Sequence, residues 1–335
     1  MSYFSLIYLG IFSLIISVLS FFNIIYSYYF NLYLNLDSYI YSLILSLILG
    51  SIFLLKKKDN YKISIYHKIL TVISGYFILP LIISIPFYLS TYNISFLDSY
   101  FESISGFTST GFSIFDNIKH IDQSLILWRS SSQWLGGLYF LFSIILLINI
   151  FDNSLKKSLT NFLSFNTAET LKQSSKILVL YILLTFGIFL ILNIFDFRLF
   201  DSFNLAMTLI SSGGFLPVNN LSTIVNTNIK EIIFALMMLV SFFSIFLSYN
   251  LFFIKNKNIS FFQEDIYLFI YLVTIIFLFF LFFNSEYNFS VIFLSLTSSI
   301  SNIGFSLDDS PQNLSFMFLI LAIIGGSFFS TSSGI

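Results

Sequence analysis

The 335-residue chain has no cysteine, 4 prolines, two histidines (His67 and His120) and only 9% charged residues. The missing cysteine excludes disulfides, thiolate metal sites and cysteine nucleophiles. Soluble domains carry about 25% charged residues, so the scarcity of charge places this chain in a bilayer. A net charge of −1 leaves no basic face for nucleic acid. The N-terminus lacks a positive n-region and a small-residue cleavage site, so its apolar run is expected to be a retained span rather than a signal peptide. What the chain has in excess is apolar surface: 57% hydrophobic residues, 46 Phe, 20 Tyr and a mean hydropathy of +0.92. That suits a protein whose solvent is lipid.

Apolar runs of the roughly 20 residues that a membrane helix needs occur at 4–30, 39–55, 69–89, 124–151, 177–194, 231–254, 266–283 and from 314 onward. Three shorter apolar pieces, 97–107, 200–210 and 289–300, follow the third, fifth and seventh runs, and each ends in a Ser/Thr/Gly cluster. They are too short to cross, and polar backbone at membrane depth must face protein or water rather than lipid. The pattern of span, half-helix, polar loop and span repeats three times. The expected fold is an all-α polytopic membrane protein. It divides into two N-terminal helices (1–62) and three helix–pore loop–helix repeats at 63–155, 170–256 and 262–335.

Eleven of the 15 Lys and Arg fall in one set of connections: Lys56, Lys57, Lys58, Lys62, Lys68, Lys156, Lys157, Lys172, Lys176, Lys255 and Lys257. The positive-inside rule makes that side cytoplasmic, so the half-helices dip in from outside. Asp98, Glu102, Asp116, Asp122, Asp196, Asp201, Glu231, Glu286, Asp308 and Asp309 then form an acidic mouth that concentrates cations.

Aligned on Gly-Phe, the three polar loops read Thr108-Ser109-Thr110-Gly111-Phe112, Ser211-Ser212-Gly213-Gly214-Phe215 and Ser301-Asn302-Ile303-Gly304-Phe305. Asp98 and Asp201 each stand thirteen residues before their glycine, and Val291 takes that place in the third repeat. An aspartate there is expected to cap the half-helix and to suit its positive end. The opposite, negative end then favours a cation. Glycine allows the chain beyond to turn its carbonyls to one side, where they replace an ion's hydration shell. Ser and Thr hydroxyls add oxygen ligands for a hard cation. The four residues before each Phe are therefore the candidate filter, with Ser105 and Gly106 ending the first half-helix.

Other polar residues read more plainly. Arg129 is either a snorkelling residue at a span end or a structural contact near the filter. Glu102 either draws cations to the mouth or bonds a neighbouring loop. His120 is expected in solvent, His67 at an interface, and Gly136 and Gly137 at a close helix contact. A membrane-embedded enzyme would need grouped His, Asp, Glu or Lys at the membrane face. The acids here are scattered over loops, and no nucleophile–base pair is visible.

Phe101-Glu102-Ser103-Ile104-Ser105-Gly106-Phe107-Thr108-Ser109-Thr110-Gly111 resembles the first pore loop of the Trk/Ktr/HKT superfamily of potassium transporters, in particular its TrkH-type subunits. Trp128-Arg129 with Gln133-Trp134-Leu135-Gly136-Gly137 resembles the start of that family's next helix, and Ser212-Gly213-Gly214-Phe215 its second loop. Ile324-Gly325-Gly326-Ser327, with Ser330, Thr331, Gly334 and Ile335, resembles its intramembrane gating loop. Phe328, Phe329, Ser332 and Ser333 stand where the family prefers alanine and glycine.

The resemblance implies uptake of potassium, without a cofactor, across the inner membrane. It assigns one filter glycine per repeat to Gly111, Gly214 and Gly304. It also implies a homodimer in membrane lipid with a cytosolic nucleotide-binding regulatory subunit beneath. The family has a fourth repeat, and these 335 residues close within the gating loop after the third. A fragment or truncated product is the expectation that follows. A sodium-preferring relative and a non-conducting accessory subunit stand as alternatives.

Overall fold

The computed structural model describes residues 3–55, 64–147, 170–245, 263–283, 288–308, 310–311, 314–327 and 330–332. They form eleven α-helices: α1 (Tyr3–Tyr29), α2 (Leu36–Leu55), α3 (Ile65–Tyr88), α4 (Phe96–Phe107), α5 (Gln123–Leu147), α6 (Thr170–Ile194), α7 (Leu199–Ile210), α8 (Asn228–Phe242), α9 (Gln263–Phe283), α10 (Phe289–Ile300) and α11 (Ser315–Ile324). Five are long and apolar enough to cross a membrane: α1, α2, α3, α5 and residues 175–194 of α6. The lysine-bearing connections 56–58, 62, 156–157 and 255–257 lie outside the described residues.

The chain divides into two compact units, Met1–Phe151 and Asp152–Ile335. In the first, α1 and α2 form an antiparallel hairpin that small residues allow to close. Gly10 and Gly50 face one another, and Ser20 Oγ donates to Ser42 Oγ at 3.1 Å. Other hydroxyls of α1 donate within their own helix: Ser13 to the Leu9 carbonyl at 2.9 Å and Ser17 to that of Leu14 at 2.7 Å. An aromatic cluster joins α1, α3, α4 and α5: Tyr139 packs on Phe12, Tyr76 and Phe107 with ring centroids 4.8, 5.0 and 5.2 Å apart. The Tyr139 hydroxyl donates to the Val72 carbonyl at 2.9 Å, and a Cβ at Gly75 would overlap its ring. A Cβ at Gly136 would strike the Phe107 carbonyl, so the expected close contact there is α5 against the end of α4.

In the second unit Phe242, Leu272, Phe279, Ile292, Leu296, Ile300, Leu314 and Leu321 make the core between α8, α9, α10 and α11. Two expected spans are interrupted. Residues 231–254 were one apolar run, yet α8 stops at Phe242 and Phe243 turns extended, with ψ 154°. Its last carbonyls are claimed from outside: Ser327 N–H donates to Phe242 O at 2.9 Å and Ser332 N–H to Ser241 O at 3.2 Å. The run from 314 breaks at Gly325, whose φ of 63° and ψ of −157° suit glycine.

Candidate functional site

The three short helices α4, α7 and α10 are each 12 residues long. Each begins fifteen residues before the glycine of its Gly-Phe pair. Their N-termini are less alike than the sequence implies. Ser95, not Asp98, caps α4: its hydroxyl oxygen accepts from Asp98 N–H at 3.2 Å and its proton goes to the Asp98 carboxylate at 2.7 Å. α7 has no side-chain cap, and Asp201 stands 3.9 Å from Arg198. The reason is positional. Both aspartates are already inside the first turn, where the residue with extended backbone just before the helix is the one that covers the free amides. Their charge still lies at the positive end of the helix.

The C-termini are built alike. After α4, the amide of Ser109 donates to Gly106 O at 3.0 Å and that of Thr110 to Ser105 O at 2.9 Å. After α7, Ser212 donates to Leu209 O at 3.2 Å and Gly213 to Thr208 O at 2.8 Å. After α10, Asn302 donates to Ser299 O at 3.2 Å and Ile303 to Ser298 O at 3.1 Å. Such a turn needs a left-handed residue just past the helix, and Ser109, Ser212 and Asn302 have φ of 55°, 52° and 56°.

A hydroxyl inside each helix then reaches forward seven residues to the Phe carbonyl. Ser105 bonds Phe112 O at 2.5 Å, Thr208 bonds Phe215 O at 3.2 Å and Ser298 bonds Phe305 O at 2.6 Å. Ser105 and Gly106 thus lie within the last turn of α4, which Phe107 ends. The glycines differ: Gly111 and Gly304 take φ of 82° and 79°, whereas Gly214 is not left-handed.

This geometry leaves a run of carbonyls unused. Among the described residues no hydrogen bond is donated to the main-chain oxygens of Thr108, Ser109, Thr110 and Gly111, of Ser211, Ser212, Gly213 and Gly214, or of Ser301, Asn302, Ile303 and Gly304. The hydroxyls of Thr108, Ser211 and Ser301 instead donate back to the carbonyl four residues earlier, at 2.7, 3.0 and 2.6 Å. The free oxygens of these segments are therefore chiefly main-chain.

The first loop has a support that the sequence reading left open. Arg129 is 1% exposed and does not snorkel: its Nε meets Glu102 Oε1 at 2.7 Å, and Glu102 is fully buried. The other carboxylate oxygen accepts from Ile114 N–H at 2.9 Å, Arg129 Nη2 donates to Ser113 Oγ at 2.9 Å, and the guanidinium lies 5.5 Å from the centre of the Phe115 ring. The pair therefore ties the segment after the loop to α4 and α5. An arginine within an apolar span is the sequence signal for it, but the partner, 27 residues away, is not legible there. His120 is exposed; His67 is exposed and bonds Ser64 Oγ through Nδ1 at 2.7 Å.

The segment assigned to a gating loop is described at Gly325, Gly326, Ser327, Ser330, Thr331 and Ser332, while Gly334 lies outside the described residues. Thr331 Oγ1 donates to Ile210 O, the last carbonyl of α7, at 2.8 Å, and Asn302 Nδ2 donates to Ser332 O at 2.8 Å. The segment thus lies against α7, the end of α8 and the third loop. Among the described residues no three His, Cys, Asp or Glu gather as a metal site.

No family model matches the sequence. An uncharacterized cation transporter of Methanocaldococcus jannaschii is 30% identical over 192 residues, 56% of this chain and 40% of that protein. The Trk system potassium uptake protein TrkI of Halomonas elongata is 38% identical over 66 residues, 20% of this chain and 12% of that one. TrkG of Escherichia coli is 25% identical over 83 residues, 24% of this chain and 17% of its own length. Each match spans less than half of the curated relative. The crystal structure of the potassium transporter TrkH from Vibrio parahaemolyticus superposes with a TM-score of 0.80 at 19% identity, covering 100% of this chain and 72% of that one. The likeness to TrkH-type subunits of the Trk/Ktr/HKT superfamily thus holds in local sequence and in fold.

Proposed function

We propose that this chain, with its TrkH fold and its Trk-system relatives, conducts potassium across the cell's inner membrane and catalyses no chemical step. One observation carries the reading: three helix-ended turns of the same construction each leave four consecutive carbonyls without a hydrogen-bond donor among the described residues. Main-chain oxygens held this way by the scaffold replace the hydration shell of an ion. The negative end of each short helix adds to the attraction. On this reading Thr108–Gly111, Ser211–Gly214 and Ser301–Gly304 each contribute a stretch of filter. Residues 325–334 control passage, and the lysine-rich connections face the cytoplasm. Potassium is the substrate, not a resident cofactor. A homodimer and a cytosolic nucleotide-binding regulatory subunit belong to the same reading.

The test is growth of a host lacking its own potassium uptake on limiting potassium, with the whole gene expressed, alongside rubidium uptake. Rescue that is lost in Gly111→Ala while the protein remains in the membrane is the expected result. Membrane-inserted protein that gives neither rescue nor rubidium uptake would overturn the proposal.

A further inference from the structure

We propose that Asn302 is a positioning residue, whose carboxamide latches the third filter turn to residues 330–332. This deepens the transport reading and rests on it only for the consequence to ion flux. The three residues that turn the chain out of α4, α7 and α10 are Ser109, Ser212 and Asn302, all left-handed. The backbone requirement is the same at each, and serine meets it twice. What asparagine adds is a donor that extends beyond Cβ, and this donor is in use: Nδ2 stands 2.8 Å from Ser332 O, thirty residues on. At the equivalent place in the second loop the Ser212 hydroxyl is buried and has no hydrogen-bond partner among the described residues.

The peptide that Asn302 holds is held on its other side as well. Ser332 N–H donates to Ser241 O at the end of α8, at 3.2 Å, and the neighbouring Thr331 hydroxyl bonds the last carbonyl of α7 at 2.8 Å. Packing leaves little slack, since a Cβ at Gly326 would overlap Ser332 Oγ and Phe242 O. Of these anchors, two end on scaffold helices and one on a filter turn. A displacement of residues 330–332 therefore breaks a bond to the residue that sets the third filter's backbone. The Asn302 side chain thus couples filter and segment.

The chain has no cysteine, so one thiol reports without interference. Ser332→Cys keeps the main-chain groups of the latch and places a reporter on it. The protein is purified and reconstituted in phosphatidylcholine–phosphatidylglycerol vesicles, and the rate of labelling by a small alkylating reagent is measured. Asn302→Ser and Asn302→Gly both tolerate the left-handed backbone and both remove the donor. Each is expected to speed labelling of the reporter about five- to tenfold, the equivalent of one net hydrogen bond. Ser222→Ala, which removes only the bond to Asp308, leaves the rate unchanged. A second reporter, Ser295→Cys, buried on α10, separates the latch from general loosening. Unchanged labelling at residue 332, or equal acceleration at 332 and 295, would overturn the proposal. Rubidium flux from the same vesicles is expected to shift with the Asn302 variants. If no sample conducts, the transport reading falls while the labelling comparison still decides the latch.

Discussion

Among the described residues, Asn31, Asn93, Ser109, Asp196, Ser212 and Asn302 take a positive φ without being glycine. Asn and Asp tolerate that conformation through local hydrogen bonds; for other residues it costs roughly 1–2 kcal/mol. Ser109 and Ser212 are held there by the two amide bonds that close each turn. The same arithmetic separates the three glycines. Gly111→Ala and Gly304→Ala place a Cβ at φ of 82° and 79° and are expected to cost about 1–2 kcal/mol each in thermal unfolding. Gly214→Ala carries no such backbone penalty and should cost less; an equal loss at all three would contradict the geometry.

Asp201, at the start of α7 and outside the spanning helices, gives a pH prediction. Burial raises its carboxyl above the usual value, and the Arg198 guanidinium pulls it back in part. The folded state then binds this proton more tightly than the unfolded chain does. The stability from this group is complete below the ordinary carboxylate range, about pH 4, and declines as pH rises to the raised folded value. Asp201→Asn removes that decline. The melting midpoint of the variant relative to the parent should climb through that window and level off above it; a flat difference would refute the assignment.

At the scale of elements, the buried Arg129–Glu102 pair holds the segment after the first loop against α4 and α5. Removing one partner of a buried pair strands the other charge and costs about 3–5 kcal/mol. Glu102→Ala and Arg129→Ala should each show that loss in denaturant unfolding, and the double variant less than the sum, because neither charge is then left alone. Arg129→Lys should not restore stability, since an ammonium lacks the planar fork that serves Glu102 and Ser113 together. The seven-residue hydroxyl links form a second set. Ser105→Ala, Thr208→Val and Ser298→Ala should each cost about 1 kcal/mol, and a filter-specific role would lower rubidium uptake more than stability.

The short helices themselves were legible from sequence, 97–107, 200–210 and 289–300 against the observed Phe96–Phe107, Leu199–Ile210 and Phe289–Ile300. A Ser/Thr/Gly cluster ends an apolar run wherever it falls, so local composition suffices. The end of α8 was not legible, because the run 231–254 has no Gly, Pro or charged residue after Glu231 to mark a stop, and its serines do not single one out. The helix stops where Ser327 and Ser332, about ninety residues later, take its carbonyls.

For the whole molecule, lysine distribution makes a directional prediction. A membrane-impermeant thiol reagent applied to intact cells should label His120→Cys, while Tyr66→Cys should react only after permeabilisation; both positions are exposed. The reverse pattern would invert the orientation. Composition alone determined that this chain lives in a bilayer: 57% hydrophobic residues and 9% charge leave no other solvent. The places of the three short helices and of five spans followed from run length, and the likeness of the three turns from the register of Gly-Phe. These properties are local or periodic, so a linear reading reaches them.

Only the tertiary structure decided that Ser109, Ser212 and Asn302 make the turns, that Glu102 meets Arg129, and that Asn302 holds Ser332. Each depends on which distant groups compete for a buried donor or acceptor. The energy of an unpaired polar group in an apolar interior forces such pairings without specifying, in sequence, which partner will be near enough to satisfy it.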